Sequence, residues 1–263
     1  MGAYFINLTG GEPLLRKDLI DLLKQHSDIY FQIYTNGTQL TKDMAEQFAS
    51  LGNVALAFSL EGFEKETNQR RGQGVFQKVI EAMRFAREAG LLFGFSATAT
   101  SKNWQVVYSE KFIDFCLDQG CKFGWCSLYI PIGRNPDTSL MLTPQQRRQA
   151  GEWVRKEVRS KKPIFVVDFW NDGHFGRACM AGGKKYLHIT SKGAVEPCVF
   201  TRFSTDTILG KSLKEILCSP LFMLIKKTGG FDGKFVYALH DYGSSSHFER
   251  MLAKKQSSCY LSG

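Results

Sequence analysis

At 263 residues, with 43% apolar and 22% charged content, the chain is long enough to bury one α/β barrel or a smaller α/β domain with an appendage, and its composition excludes a disordered class. No run approaches the roughly 18 uninterrupted apolar residues of a membrane helix and no export signal opens the chain, so a cytoplasmic protein with no membrane partner is expected. The net charge of +9 comes from Lys and Arg spread along the chain without interleaved aromatics, which argues against a nucleic-acid partner.

The chain opens on an apolar run, Tyr4 to Leu8, then Thr9-Gly10-Gly11-Glu12-Pro13, then a helical pattern with Leu19, Leu22 and Leu23 on one face. This reads as strand, loop, helix. The unit recurs: Ile29 to Tyr34 is strand-like, Asn36-Gly37 turns the chain, and Thr41 caps a helix carrying Met44, Phe48 and Leu51. Val54 to Leu60 starts a third unit, whose helix runs from about Phe76 to Ala89 and ends at Gly90 in a left-handed cap.

Leu91 to Thr98 is the next strand, followed by a helix around Glu110 to Gln119 and a strand around Phe123 to Ile130. Thr143, Pro144 and Gln146 form a capping-box helix start, and Ile164 to Phe169 makes one more strand. Strands alternating with helices at this interval imply parallel βα units, with functional loops at the C-terminal ends of the strands.

The rhythm changes near Phe175. Tyr186 to Ile189, the turn Ser191-Lys192-Gly193, and Ala194 to Pro197 read as a hairpin. Ser212 and Glu215 cap a helix that Pro220 interrupts or restarts, and residues 229–263 form a loose tail in which Phe235 to Leu239 is a candidate short strand. The expected domains are therefore 1–174, 175–228 and 229–263.

Three consecutive predicted strands end in polar glycine loops: Gly10-Gly11-Glu12, Thr35-Asn36-Gly37 and Ser59-Leu60-Glu61-Gly62. Such a rim suits a zwitterionic, ribose-bearing ligand, because carboxylates accept from an ammonium and from hydroxyls while glycines admit backbone contact. In this order the motifs resemble those of the radical S-adenosylmethionine (SAM) superfamily. The resemblance implies SAM as a cofactor, with Gly10, Gly11 and Glu12 around its amino group and Ser59 and Glu61 at its ribose. It also implies Asn36 in the second loop and Arg71 facing the SAM carboxylate. Ser96 and Thr98 would turn towards SAM from the next strand, and Ile130 would line the adenine pocket mainly through its backbone.

The seven cysteines, in a chain with no export signal, read as reduced thiols or metal ligands rather than a disulfide scaffold. Cys179 and Cys198 frame Gly193 as C-x13-G-x4-C, which resembles the start of a SPASM or twitch extension whose cysteines ligate an auxiliary 4Fe-4S cluster. The later SPASM cysteines have no counterpart. The family's C-x3-C-x2-C loop, which holds the SAM-binding 4Fe-4S cluster, is missing too, since only nine residues precede Gly10. Cys116, Cys121 and Cys126 have the wrong spacing and come too late, and they read as core cysteines.

The expected fold is thus a partial (β/α)6 barrel lacking its first βα unit, open at one edge, with a small hairpin and helix extension. The resemblance implies a fragment of a radical SAM enzyme that abstracts hydrogen from a peptide or small-molecule substrate, served by a one-electron donor and inactive without the cluster cysteines. The rival expectation is a non-catalytic SAM- or peptide-binding remnant.

Overall fold

The computed structural model describes residues 3–133, 135–172, 181–201 and 203–227. Six strands form one parallel sheet in chain order: β1 (Phe5–Leu8), β2 (Tyr30–Thr35), β3 (Val54–Ser59), β4 (Leu92–Ala99), β5 (Phe123–Leu128) and β6 (Phe165–Asp168). The connecting helices are α1 (Leu19–Gln25), α2 (Lys42–Leu51), α3 (Glu64–Arg71), α4 (Val75–Glu88), α5 (Trp104–Val107), α6 (Glu110–Gln119) and α7 (Pro144–Trp153). The chain divides into two compact units, residues 1–129 with 137–172, and 130–136 with the described part of 173–263.

Alternation along each strand sorts the first unit into two faces. Ile33, Leu56, Phe58, Phe95 and Val166 are fully buried against the helices, where they meet Phe48, Val79, Met83 and Phe112. The opposite face carries Gln32, Tyr34, Ala57, Ser59, Ser96, Thr98 and Trp125. Tyr34 and Trp125 lie on strands three apart, which in a flat sheet would separate them by about 14 Å. Their ring centroids are 6.2 Å apart, so the sheet curls into a half-barrel with these side chains on its concave face. At Gly94 on this sheet, a Cβ would stand 2.1 Å from the Phe123 carbonyl oxygen, so the close passage of β4 beside β5 admits glycine alone.

The helix ends follow the capping chemistry predicted for them. Thr41 Oγ1 accepts from Met44 N at 3.2 Å, Thr143 and Gln146 form a reciprocal capping box, and Gly90 takes φ +69 after α4. Two helices escaped the sequence reading. In α3 only Thr67 is buried, so it has no apolar stripe to announce it, and α5 is a single turn. After α7, residues Val154–Val158 continue as a π-helical turn.

In the second unit, β7 (His188–Ile189) and β8 (Ala194–Glu196) pair antiparallel around Gly193, at φ +82, and an unpredicted β9 (Asp206–Thr207) adds to β8. Ser212 and Glu215 cap α8 (Leu213–Leu217), and Pro220 starts α9 (Pro220–Lys227) rather than breaking a single helix. Val195, Cys198, Ile216 and Phe222 form this unit's core with Ala181, Leu221 and Ile225. The tail and its candidate strand at 235–239 lie outside the described residues. Among the described residues no helix is long and apolar enough to cross a membrane.

Candidate functional site

The three glycine loops sit at the C-terminal ends of adjacent strands β1, β2 and β3, because parallel neighbours deliver their ends to one rim. Gly10 and Gly11 are exposed there, and Gly10 takes φ +127, a conformation closed to most side chains. Glu12 ties the first loop to the second. Its Oε1 accepts from Thr35 Oγ1 at 2.7 Å and from Leu14 N at 3.1 Å, and its Oε2 accepts from Asn36 N at 2.8 Å. A carboxylate offers about four acceptor positions, so one on Oε2 stays open for an ammonium.

Asn36 is half-buried, and its Oδ1 accepts from Thr38 N and Thr38 Oγ1, which fixes the second loop. Ser59 and Ser96 are register partners across β3 and β4. Ser96 in turn pairs with Trp125 on β5, so a polar row on the concave face ends at an aromatic wall of Tyr34, Trp125 and Phe169. Burial raises the Tyr34 phenol above its ordinary range, which keeps this wall uncharged. The wall residues carried no motif and were not predicted; only their place in the strand alternation could have found them.

Glu61 departs from its expected role at a ribose. Its side chain is 1% exposed and its oxygens are filled from within the protein. Oε1 accepts from Arg71 Nε at 3.0 Å and from Arg71 Nη2, while Oε2 accepts from Arg70 Nη1 at 3.1 Å and Thr98 N at 3.2 Å. Four donors leave no acceptor position for a ligand hydroxyl. The backbone is equally engaged, since Glu61 N donates to Thr67 Oγ1 and Asn103 Nδ2 donates to Glu61 O.

Arg71 lines an open cavity of about 330 Å³ together with Asn36, Thr38, Arg70 and Val75. Arg70, Thr38 and Asn103 were missed by sequence reasoning, although tandem arginines at the end of a short polar helix are a readable signal. Thr98 contributes backbone to this cluster: its N–H goes to Glu61, and its carbonyl accepts from Asn103 Nδ2 and Arg70 Nη1. Ile130 falls in the second unit, where its carbonyl accepts from Ile132 N at 2.8 Å.

The three cysteines packed in the first unit do not fit an iron–sulfur cluster. Cys116, Cys121 and Cys126 are buried in the helix-side core, and burial pushes the Cys116 and Cys126 thiols well above their ordinary range, whereas cluster ligands are thiolates. Cys198 is buried, with its Sγ 3.1 Å from Tyr186 Oη; its predicted partner Cys179 lies outside the described residues. Among the described residues, no three Cys, His, Asp or Glu side chains gather as a metal site.

Residues 1–98 match the family model of the Radical SAM superfamily, whose members use SAM and 4Fe-4S clusters. The AdoMet-dependent heme synthase of Methanosarcina barkeri is 24% identical over 243 residues, covering 82% of this chain and 68% of that protein. The PqqA peptide cyclase of Rhizobium meliloti is 25% identical over 249 residues, 88% of this chain and 63% of the relative. The mycofactocin maturase MftC of Mycolicibacterium smegmatis is 29% identical over 161 residues, covering 59% of this chain and 40% of its own length. Among solved structures, SuiB of Streptococcus suis superposes with a TM-score of 0.70 at 17% identity, over 85% of this chain and 57% of SuiB. The chain thus spans between two fifths and about two thirds of these relatives.

Proposed function

We propose, from the match of residues 1–98 to the Radical SAM superfamily, that the rim of the half-barrel binds SAM in the service of radical chemistry on a peptide substrate. The observation that carries the reading is the polar rim at the ends of three adjacent strands, its first two loops tied together by Glu12, with the Arg71 cavity beside it. The open acceptor position on Glu12 takes the ammonium of SAM, Arg71 its carboxylate, and Ser59 and Ser96 the ribose side. Glycines at 10 and 11 let backbone groups approach the methionine moiety.

A peptide substrate is favoured because two of the relatives are a peptide cyclase and a maturase, and because SuiB has been solved with its precursor peptide SuiA. The aromatic and small side chains of the concave face offer the surface on which it would lie. The described residues do not hold the cluster from which family members draw an electron, so no cleavage step is assigned to them, and the one-electron donor belongs to a cluster-bearing form. On this reading the described residues bind SAM, and cleavage waits on cluster ligands that they do not supply. Domains at 1–174, 175–228 and 229–263 belong to the same proposal, with Cys179 and Cys198 as partial ligands of an auxiliary cluster.

The test is anaerobic equilibrium dialysis of the full chain with radiolabelled SAM. Saturable binding weakened at least tenfold by Arg71→Ala is expected, with no 5′-deoxyadenosine released after reconstitution with iron, sulfide and dithionite. Absence of binding removes the SAM assignment. Release of 5′-deoxyadenosine removes the claim that these residues are silent alone.

A further inference from the structure

We propose that Glu61 is a positioning residue that aims a guanidinium at the carboxylate of the bound nucleoside–amino-acid ligand, and that it makes no contact with that ligand itself. The inference rests on the SAM reading above and assigns Glu61 a role different from the ribose contact its motif implies.

Three observations on the same cluster lead to it. First, all four acceptor positions of the Glu61 carboxylate are filled by protein donors, and the side chain is 1% exposed, so a ligand can neither reach it nor find a free lone pair. Second, the partners it holds are not buried with it. Arg70 and Arg71 are 38% and 26% exposed along their side chains, and both line the open cavity with Asn36, Thr38 and Val75. Third, the charges do not cancel. One carboxylate faces two guanidiniums, so the cluster presents a net positive charge towards the cavity.

Geometry explains why a buried acid serves this purpose. Arg71 grips Oε1 through both Nε and Nη2, which fixes the plane of its guanidinium and leaves its remaining N–H groups facing away from Glu61. Asn103 and Thr67 lock the Glu61 backbone in turn, and Thr98 N ties the carboxylate to β4. A long, flexible side chain at the end of α3 is thereby held in one orientation before any ligand arrives, which lowers the ordering cost of binding an anion. The cations also sit in the last turn of α3, where the helix carbonyls favour them.

The experiment measures binding of two probes to the full chain by calorimetry: SAM, and decarboxylated SAM, which keeps the ribose, adenine and ammonium but lacks the carboxylate. Wild type is expected to prefer SAM by at least tenfold. Glu61→Gln is expected to lower SAM affinity at least tenfold while changing the decarboxylated probe by less than twofold, so the preference collapses. A ribose contact would instead weaken both probes equally, and that result overturns the proposal. So does an unchanged SAM affinity.

If Glu61→Gln does not fold, as judged by circular dichroism, Glu61→Asp carries the test. It keeps the charge but draws it back by one methylene, and the same selective loss, of about threefold, is expected; equal losses overturn the proposal here too. Wild type that binds neither probe removes the SAM reading and this inference together, whereas wild type that binds both with equal mutant losses removes only the inference.

Discussion

Glu61 and Asp168 are two carboxylates at the C-terminal side of the same sheet, buried to 0% and 1% exposure, and they live in opposite electrostatic conditions. Glu61, beyond β3, is gripped by two guanidiniums. Asp168, ending β6, accepts from neutral groups only: Asn171 Nδ2 at 2.7 Å and Tyr108 Oη at 3.3 Å. The nearby cation, Arg159, spends its fork on Asp172, with Nη1 to Oδ1 at 2.9 Å. Burial pushes the Asp168 carboxyl up to about 6, against the lowering of its Asn171 hydrogen bond and with repulsion from Asp172 adding to the rise. Equal burial therefore says little about function. The sign and exposure of the partner decide whether a buried acid presents charge to a cavity or merely tolerates its own.

The largest effect should come from breaking the first half of this contrast. Glu61→Ala leaves Arg70 and Arg71 side by side with no counter-charge and orphans Thr98 N; because both arginines are half-exposed and regain water, the loss stays at the low end of the buried-pair penalty, about 3 kcal/mol. Urea denaturation reads this directly. A loss under about 1 kcal/mol would mean that the arginines simply turn out into water, and the contrast with Asp168 would then dissolve.

The second half is sharpened by pH. The folded-state value of Asp168 lies above its ordinary one, so the folded protein holds the extra proton and the associated stabilisation is complete below about pH 4. It is lost as pH rises through about 6. A rise of roughly two units corresponds to about 3 kcal/mol at most. Urea midpoints between pH 4 and 7 should therefore show a downward contribution that Asp168→Asn abolishes, while other carboxylates contribute equally to both proteins. An identical pH profile in the variant would place the titration elsewhere.

Much of this architecture was readable because it repeats. The βα units restate the same apolar alternation, and Thr41, Gly90 and Thr143 marked helix boundaries through local capping chemistry. The rim was readable for the same reason, as three loops of one chemistry on successive strands. Roles inside the rim were less so. Glu61 and Glu12 look alike as acids beside glycines, and the difference between them is a matter of who fills their lone pairs. Arg70 and the Thr98 backbone N–H supply that difference from α3 and from β4, nine and 37 positions away. The concave wall was illegible because Tyr34 and Trp125 meet only once four strands have curled.

The smallest effect supplies the scale for the others. Arg84 pairs with Glu88 at 2.7 Å on the outer face of α4, an ion pair as short as many in the molecule, but both side chains are 45% exposed. Water and salt screen such a pair, and ordering two long side chains offsets most of its attraction, so it stabilises by about 0.5 kcal/mol or less. Arg84→Ala should shift the urea midpoint barely beyond error, and the shift should vanish in 1 M salt. Measured beside Glu61→Ala under the same conditions, it separates two causes that distance alone confuses. If both variants lost similar stability, charge proximity would suffice to explain the Glu61 cluster. A several-fold larger loss at Glu61 requires the enclosure that keeps water from replacing its partners.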